Sequence, residues 1–216
     1  MVTDVTDFET RVSMIVLAAG KGSRMGTPKV LLRMNDGTSL LSHHLRALAA
    51  VDPAEILVVL GAGAHQAQSM IPEGVKTILN LDHAMGMGRS LQTGLRAVDP
   101  HSNVAVVTLV DLTDTPAEIY PRLIENAADG VLARCTWGSV PGHPVMFGRQ
   151  WISRAIDACG GDSGAKRLFR EASDSVTLIE GGDLLTPGAN GTFDVDTPAQ
   201  AAARGINLPE RNDGRP

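Results

Sequence analysis

Two cations, Arg24 and Lys29, lie in a loop that also holds Gly20, Gly22 and Gly26. Far downstream, Asp111 ends an apolar run, and Asp194 and Asp196 flank a single valine. These residue types suit phosphate chemistry. Glycines let the backbone turn tightly and approach a ligand, and N–H groups in such a loop can cradle phosphate oxygens. Arg24 adds a forked donor and Lys29 a mobile point charge. A carboxylate at Asp111 could bridge Mg²⁺ to the same phosphates, because Mg²⁺ takes a few carboxylate oxygens together with water and substrate phosphate. The set fits a nucleoside triphosphate.

Rigid elements must deliver these groups. Strand candidates are Met14–Ala18, Ile56–Leu60, Val75–Asn80, Val104–Val110, Gly130–Cys135 and Val176–Ile179. Helical spacing places Leu41, Leu45 and Leu48 on one face, Met87, Leu91, Leu95 and Val98 on a second, and Ile119, Leu123 and Ala127 on a third. Apolar strands alternating with amphipathic helices imply an α/β chain with a mostly parallel sheet covered on both faces. Ligands of such sheets lie beyond the carboxyl ends of the strands. The glycine loop, Asn80 and Asp111 all fall at that edge.

Other motifs are weaker. The glycine spacing is neither a dinucleotide fingerprint nor a P-loop. Asp114 precedes Thr115-Pro116 and reads as a turn or helix-capping residue. Asp194 and Asp196 occupy alternating positions of an extended segment, and only one is expected to face a given side. Thr197-Pro198 opens a helix there. Gly86, Gly88 and Ser90 begin the helix after Asn80, where backbone N–H groups could face an anion. His143 stands before Pro144 and reads either as a pocket residue or as a turn residue. Asp162, between glycines, reads either as an acceptor contact or as a helix cap.

Composition limits the function classes. The 216 residues suffice for one domain with a core, and the formal net charge of −5 with 3% aromatic residues argues against a nucleic-acid surface. Cys135 and Cys159 lack metal-ligand spacing and read as buried reduced thiols. No apolar run approaches the roughly 20 residues of a membrane span. Met1–Arg11 is polar and acidic rather than a signal peptide. A cytoplasmic enzyme without nucleic-acid or membrane partners is the expectation.

Five segments, in order, resemble the molybdenum-cofactor nucleotidyltransferase family: Leu17-Ala18-Ala19-Gly20 through Lys29, Asn80 through Leu91, Gly142-His143-Pro144-Val145-Met146-Phe147, Gly161-Asp162-Ser163-Gly164-Ala165-Lys166, and Asp194-Val195-Asp196-Thr197-Pro198. The resemblance implies a Rossmann-like three-layer sandwich of the nucleotide-diphospho-sugar transferase type, with residues 13–207 as the transferase domain between tails 1–12 and 208–216, the latter disordered. It implies transfer of a nucleoside monophosphate to the phosphate of a pterin cofactor, with Mg²⁺ and release of pyrophosphate. Carried onto this chain, Leu17, Ala18, Ala19, Gly20, Gly22, Ser23, Arg24, Lys29, Asn80, Gly86 and Ser90 would bind nucleotide. Arg24, Lys29 and Asp111 would be catalytic. Asp111, Asp194 and Asp196 would hold metal, and His143 and Asp162 would meet the acceptor. Ala18-Ala19 before Gly20 is similar to the cytidylyl branch, whereas the guanylyl branch reads L-A-G-G, so CTP is expected over GTP. A molybdoenzyme or its chaperone is the implied protein partner.

The chain also departs from that pattern. Val110-Asp111-Leu112-Thr113-Asp114-Thr115-Pro116 replaces G-D-x-P, His83 stands for a tryptophan and Met85 for an acid. These changes leave open another phosphorylated acceptor, an oxidoreductase on the same scaffold, or a cofactor-delivery protein.

Overall fold

A computed structural model describes residues 10–161 and 164–209. The expected tails lie largely outside these residues, although Val12 already belongs to the first strand. The strands are β1 (Val12–Ala18), β2 (Arg33–Met34), β3 (Glu55–Leu60), β4 (Lys76–Leu79), β5 (Val104–Leu109), β6 (Leu132–Trp137), β7 (Val140–Gly148), β8 (Val176–Glu180) and β9 (Ile206–Asn207). The helices are α1 (Leu40–Ala49), α2 (Ala64–Ala67), α3 (Met87–Arg96), α4 (Ile119–Ile124), α5 (Arg149–Ala158), α6 (Lys166–Glu171) and α7 (Pro198–Ala203).

Seven strands form one sheet in the order β4-β3-β1-β5-β7-β6-β8, and β2 pairs with β9 in a small second sheet. Neighbours in the large sheet are parallel except where β7 takes part. All six expected strands are present with shifted ends. The seventh, β7, rules out the alternative in which His143 is a turn residue before Pro144. Glycine and proline disguise it because proline cannot donate to a ladder and is tolerated at bulges. The β6–β7 register does shift, between Arg134–Val145 and Thr136–Pro141.

Alternate residues of β1 enter opposite cores, as the strand period requires. Met14, Val16 and Ala18 pack with Leu41, Leu45, Leu48, Ile119 and Leu123, which puts α1 and α4 on one face. Ile15 and Leu17 pack with Leu91, Leu95, Ile152 and Leu168, which puts α3, α5 and α6 on the other. The expected helical faces are those that are buried. A third, small core joins distant segments: Met25, Leu32 and Leu40 pack with Val195, Ala201 and Ile206. It fastens the glycine loop to the late acidic motif.

Candidate nucleotide and metal site

Met25 and Val195 share that third core. Arg24 adjoins Met25, and Asp194 and Asp196 flank Val195, so burying the two apolar residues brings the charged ones together. The amide of Val195 also donates to the Asp111 carbonyl at 3.2 Å, tying the segment to the end of β5. One carboxylate oxygen from each of Asp111, Asp194 and Asp196 lies within 4.8 Å of the others. This corrects the expectation that only one of the late pair faces the site. Residues two apart on an extended chain share a side, and the buried Val195 takes the other.

Lys29 is the counter-ion. Its Nζ lies 2.5 Å from Asp111 Oδ2 and 2.6 Å from Asp196 Oδ1. Arg24 closes the ring from outside, 2.7 Å from Asp196 Oδ2, with most of its side chain in solvent. Burial works to lower the Lys29 pKa, but attraction and hydrogen bonds to Asp111 and Asp196 outweigh it and raise it. Burial pushes the Asp111 carboxyl up, and Lys29 pulls it back only in part. The three carboxylates, two of them on the Lys29 ammonium, form a hard-donor set that fits a divalent cation such as Mg²⁺ or Mn²⁺.

The glycine loop is built as its composition suggests. Gly22 has φ +61, and a Cβ there would sit 1.9 Å from the Thr27 carbonyl oxygen. The amide of Gly26 closes the turn on the Gly22 carbonyl at 2.8 Å. Ser23 is exposed beside it. Leu17, Ala18 and Ala19 are buried, so what they can offer a nucleotide at the sheet edge is backbone.

Other expected contacts serve the scaffold. Asn80 and Ser90 are both buried and bonded to each other at 3.1 Å, and Asn80 Oδ1 accepts the Asp82 amide. Gly86 precedes α3 with φ 104 and no side-chain cap. A Cβ on Gly88 would strike Gly160 at 2.8 Å, so that glycine admits a neighbouring loop rather than a ligand. His83 packs on Gly61, and its Nδ1 is buried without a partner. Asp114 is not a helix cap: it binds Arg204 through two contacts of 2.8 and 2.9 Å and accepts the Asn190 amide. Arg204 in turn lies 3.4 Å over the Phe193 ring. Thr197 caps α7 reciprocally with Gln200. The contacts of Asp114 leave no signal in the sequence because Arg204 and Asn190 lie 90 and 76 residues away.

His143 sits in β7, the strand that pairs with β5. Burial, with Arg134 and Lys166 nearby, lowers its pKa to about 4, so it is neutral near pH 7. Asp162 lies outside the described residues, and α6 is preceded by Ala165 at its cap position. Cys135 is buried and Cys159 half-buried, both free. Among the described residues no helix is long and apolar enough to cross a membrane.

A parallel-rich sheet with cations and carboxylates gathered at one edge is the architecture of a nucleotidyltransferase of the nucleotide-diphospho-sugar transferase type. The chain belongs to the MobA-like NTP transferase domain family, which matches residues 14–176. It is 28% identical to a nicotine blue oxidoreductase of Paenarthrobacter nicotinovorans, over 88% of this chain and 94% of that protein. It is 35% identical to a probable molybdenum cofactor guanylyltransferase of Rhodopirellula baltica, over 56% of this chain and 60% of that one. A match to the bifunctional protein GlmU of Mycobacterium ulcerans, at 35% identity, covers 66% of this chain but only 30% of GlmU. Among solved structures, an Rv0371c homologue from Mycobacterium sp. strain JC1 superposes with TM-score 0.75 at 28% identity, covering 89% of this chain and 94% of the other. The Mycobacterium tuberculosis Rv0371c complex with manganese shares the fold with TM-score 0.73 at 22% identity, over 91% of this chain and 98% of that one.

Proposed function

We propose that this protein is a Mg²⁺-dependent nucleotidyltransferase that moves CMP from CTP onto the phosphate of a molybdopterin-type cofactor and releases pyrophosphate. One observation carries the reading: Arg24 and Lys29 from the glycine loop meet Asp111, Asp194 and Asp196 at a single point. Asp111, Asp194 and Asp196 would hold the cation. When bound, it would supply Lewis-acid neutralisation of the phosphate charge. Lys29 and Arg24 would then turn from the carboxylates to the phosphates, where they stabilise charge on the departing pyrophosphate. The attacking phosphate oxygen is ionised near neutral pH, with a second pKa of about 6 by analogy with phosphorylated side chains, so no general base is required. A neutral His143 agrees with that. Ala18-Ala19 before Gly20 supports cytosine over guanine, and the guanylyltransferase relative makes GTP the necessary competitor.

The nicotine blue oxidoreductase relative, matched along nearly its whole length, supports a second reading as a redox enzyme. Hydride transfer has no use for a cluster of carboxylates around an ammonium, and this places it second. The test is a pyrophosphate-release screen of the four nucleoside triphosphates with Mg²⁺ or Mn²⁺, with and without molybdopterin. Release with CTP and molybdopterin is expected. Silence in every combination, beside pyridine-nucleotide oxidation with a quinone-like dye, would replace the first reading by the second.

A further inference from the structure

Arg134 is a charged residue inside the apolar run Val131–Cys135. Among the described residues it has no hydrogen bond and no ion pair, and its Nε is buried without a partner. Its guanidinium carbon lies 5.2 Å from the centroid of the Phe169 ring on α6. Across the ladder Arg134 pairs with Val145, two residues along β7 from His143. Lys166, at the start of α6, is close enough that it and Arg134 both act on the His143 ring. It too has no hydrogen bond or ion pair among the described residues. Two carboxylates of the adjoining elements are already committed. Glu171 faces Arg167, and Glu180 accepts from Thr136 and from the amides of Gly138, Ser139 and Gly182.

A guanidinium whose Nε is buried and unpartnered, beside a second cation and with no counter-charge among the described residues, is costly unless an anion completes it. The chain has acids to spare, with 24 Asp and Glu against 19 Lys and Arg, yet none among the described residues is placed here. We propose that Arg134, His143 and Lys166 form an anion subsite, which binds a phosphate or carboxylate group of the acceptor. This rests on the nucleotidyltransferase reading. Arg134 on β6 stands two strand spacings, about 10 Å, from the strand that ends near Asp111, with His143 on the intervening β7. Arg134 contributes a forked donor, Lys166 a mobile charge, and His143 a hydrogen bond that changes little with pH above about 5.

The test is a titration with inorganic phosphate, without nucleotide or metal, observed by NMR at the His143 ring. Saturable movement of the His143 resonances is expected. Arg134→Gln should weaken it about tenfold or more and Lys166→Gln severalfold, the loss of charge-assisted hydrogen bonds. Arg134→Lys should restore part of it. Lys166 is exposed, so its variant tests the idea even if Arg134→Gln fails to fold. A His143 ring that ignores phosphate, or responds equally in wild type and Lys166→Gln, overturns the subsite. Because this readout needs no turnover, its failure leaves the pyrophosphate screen untouched, and a silent screen leaves the titration interpretable.

Discussion

Lys29 Nζ lies 2.5 Å from Asp111 Oδ2, although 82 residues separate the two, one following β1 and the other the adjacent strand β5. The ammonium thus occupies the neighbourhood in which a divalent cation would be held. Cation and lysine repel, and at an effective dielectric of about 20 two unit charges at 4 Å already cost about 4 kcal/mol.

The first prediction follows from that competition. Lys29→Met should bind Mn²⁺ more tightly than wild type when no nucleotide is present, on the order of tenfold, while losing affinity for triphosphate more than for monophosphate. Paramagnetic titration measures the first and calorimetry the second. Unchanged Mn²⁺ affinity would mean that the carboxylates bind metal elsewhere than around the lysine.

The second concerns the four aspartates. Asp111→Asn, Asp194→Asn and Asp196→Asn should each depress metal-dependent turnover by about a hundredfold or more, since each removes a charged donor from the metal site. Asp114→Asn should leave the Mg²⁺ dependence near normal and instead lower stability, by about 1–3 kcal/mol, because it leaves the half-buried Arg204 poorly matched. A Mg²⁺ titration beside urea unfolding separates the two patterns. Loss of metal dependence in Asp114→Asn would relocate the site to the turn after β5.

The third is a pH effect on stability. His44 on α1 is buried, and burial first, then His43, lower its pKa from 6.5 to about 4, while a hydrogen bond that its ring donates to the Val110 backbone carbonyl opposes the fall. A histidine depressed on folding stays neutral in the native state while the unfolded chain takes a proton. Its contribution is therefore full above about pH 6.5 and is lost as pH falls toward 4. Between pH 7 and 5 this amounts to about 2 kcal/mol. Urea unfolding of wild type and His44→Gln at both pH values should show the smaller drop in the variant. Equal drops would assign the acid sensitivity to other groups.

Much of this architecture can be read along the chain, and the exceptions have physical causes. Continuous apolar runs reveal β1, β3 and β5 because strands buried on both faces need no polar alternation. β7 hides because Gly142 and Pro144 signal a turn, and only its partners and a register shift make it a strand. The glycine loop and Asp111 are legible since each sits at a strand end. That Lys29 lies between Asp111 and Asp196 is not, because the packing of Met25 on Val195 joins segments remote in sequence. The bond between Asn80 and Ser90 is likewise invisible in the sequence, because it joins a strand end to a helix ten residues on. Arg134 does leave a trace, a lone charge in an apolar strand, that motif matching passes over.

The fourth prediction tests whether packing at a distance holds the carboxylates in place. Trp137 ends β6, is buried, and donates its indole N–H to the His143 carbonyl at 2.9 Å. Its ring lies against Gly191, where a Cβ would fall 2.0 Å from Trp137 Cδ2. An indole fixed by a strand and a hydrogen bond cannot yield, so the loop must. Gly191 leads through Thr192 and Phe193 into Asp194 and Asp196, and displacing it pulls on both. Gly191→Ala should cost about 1–3 kcal/mol as overpacking does, shift the tryptophan emission, and weaken Mn²⁺ binding about tenfold. Gly130→Ala is the control, since its Cβ would meet nothing nearer than Gln150 at 3.5 Å. If Gly191→Ala loses stability but binds Mn²⁺ as wild type does, then the core around Met25 and Val195 is enough to position the acidic motif, and Trp137 is a packing residue alone.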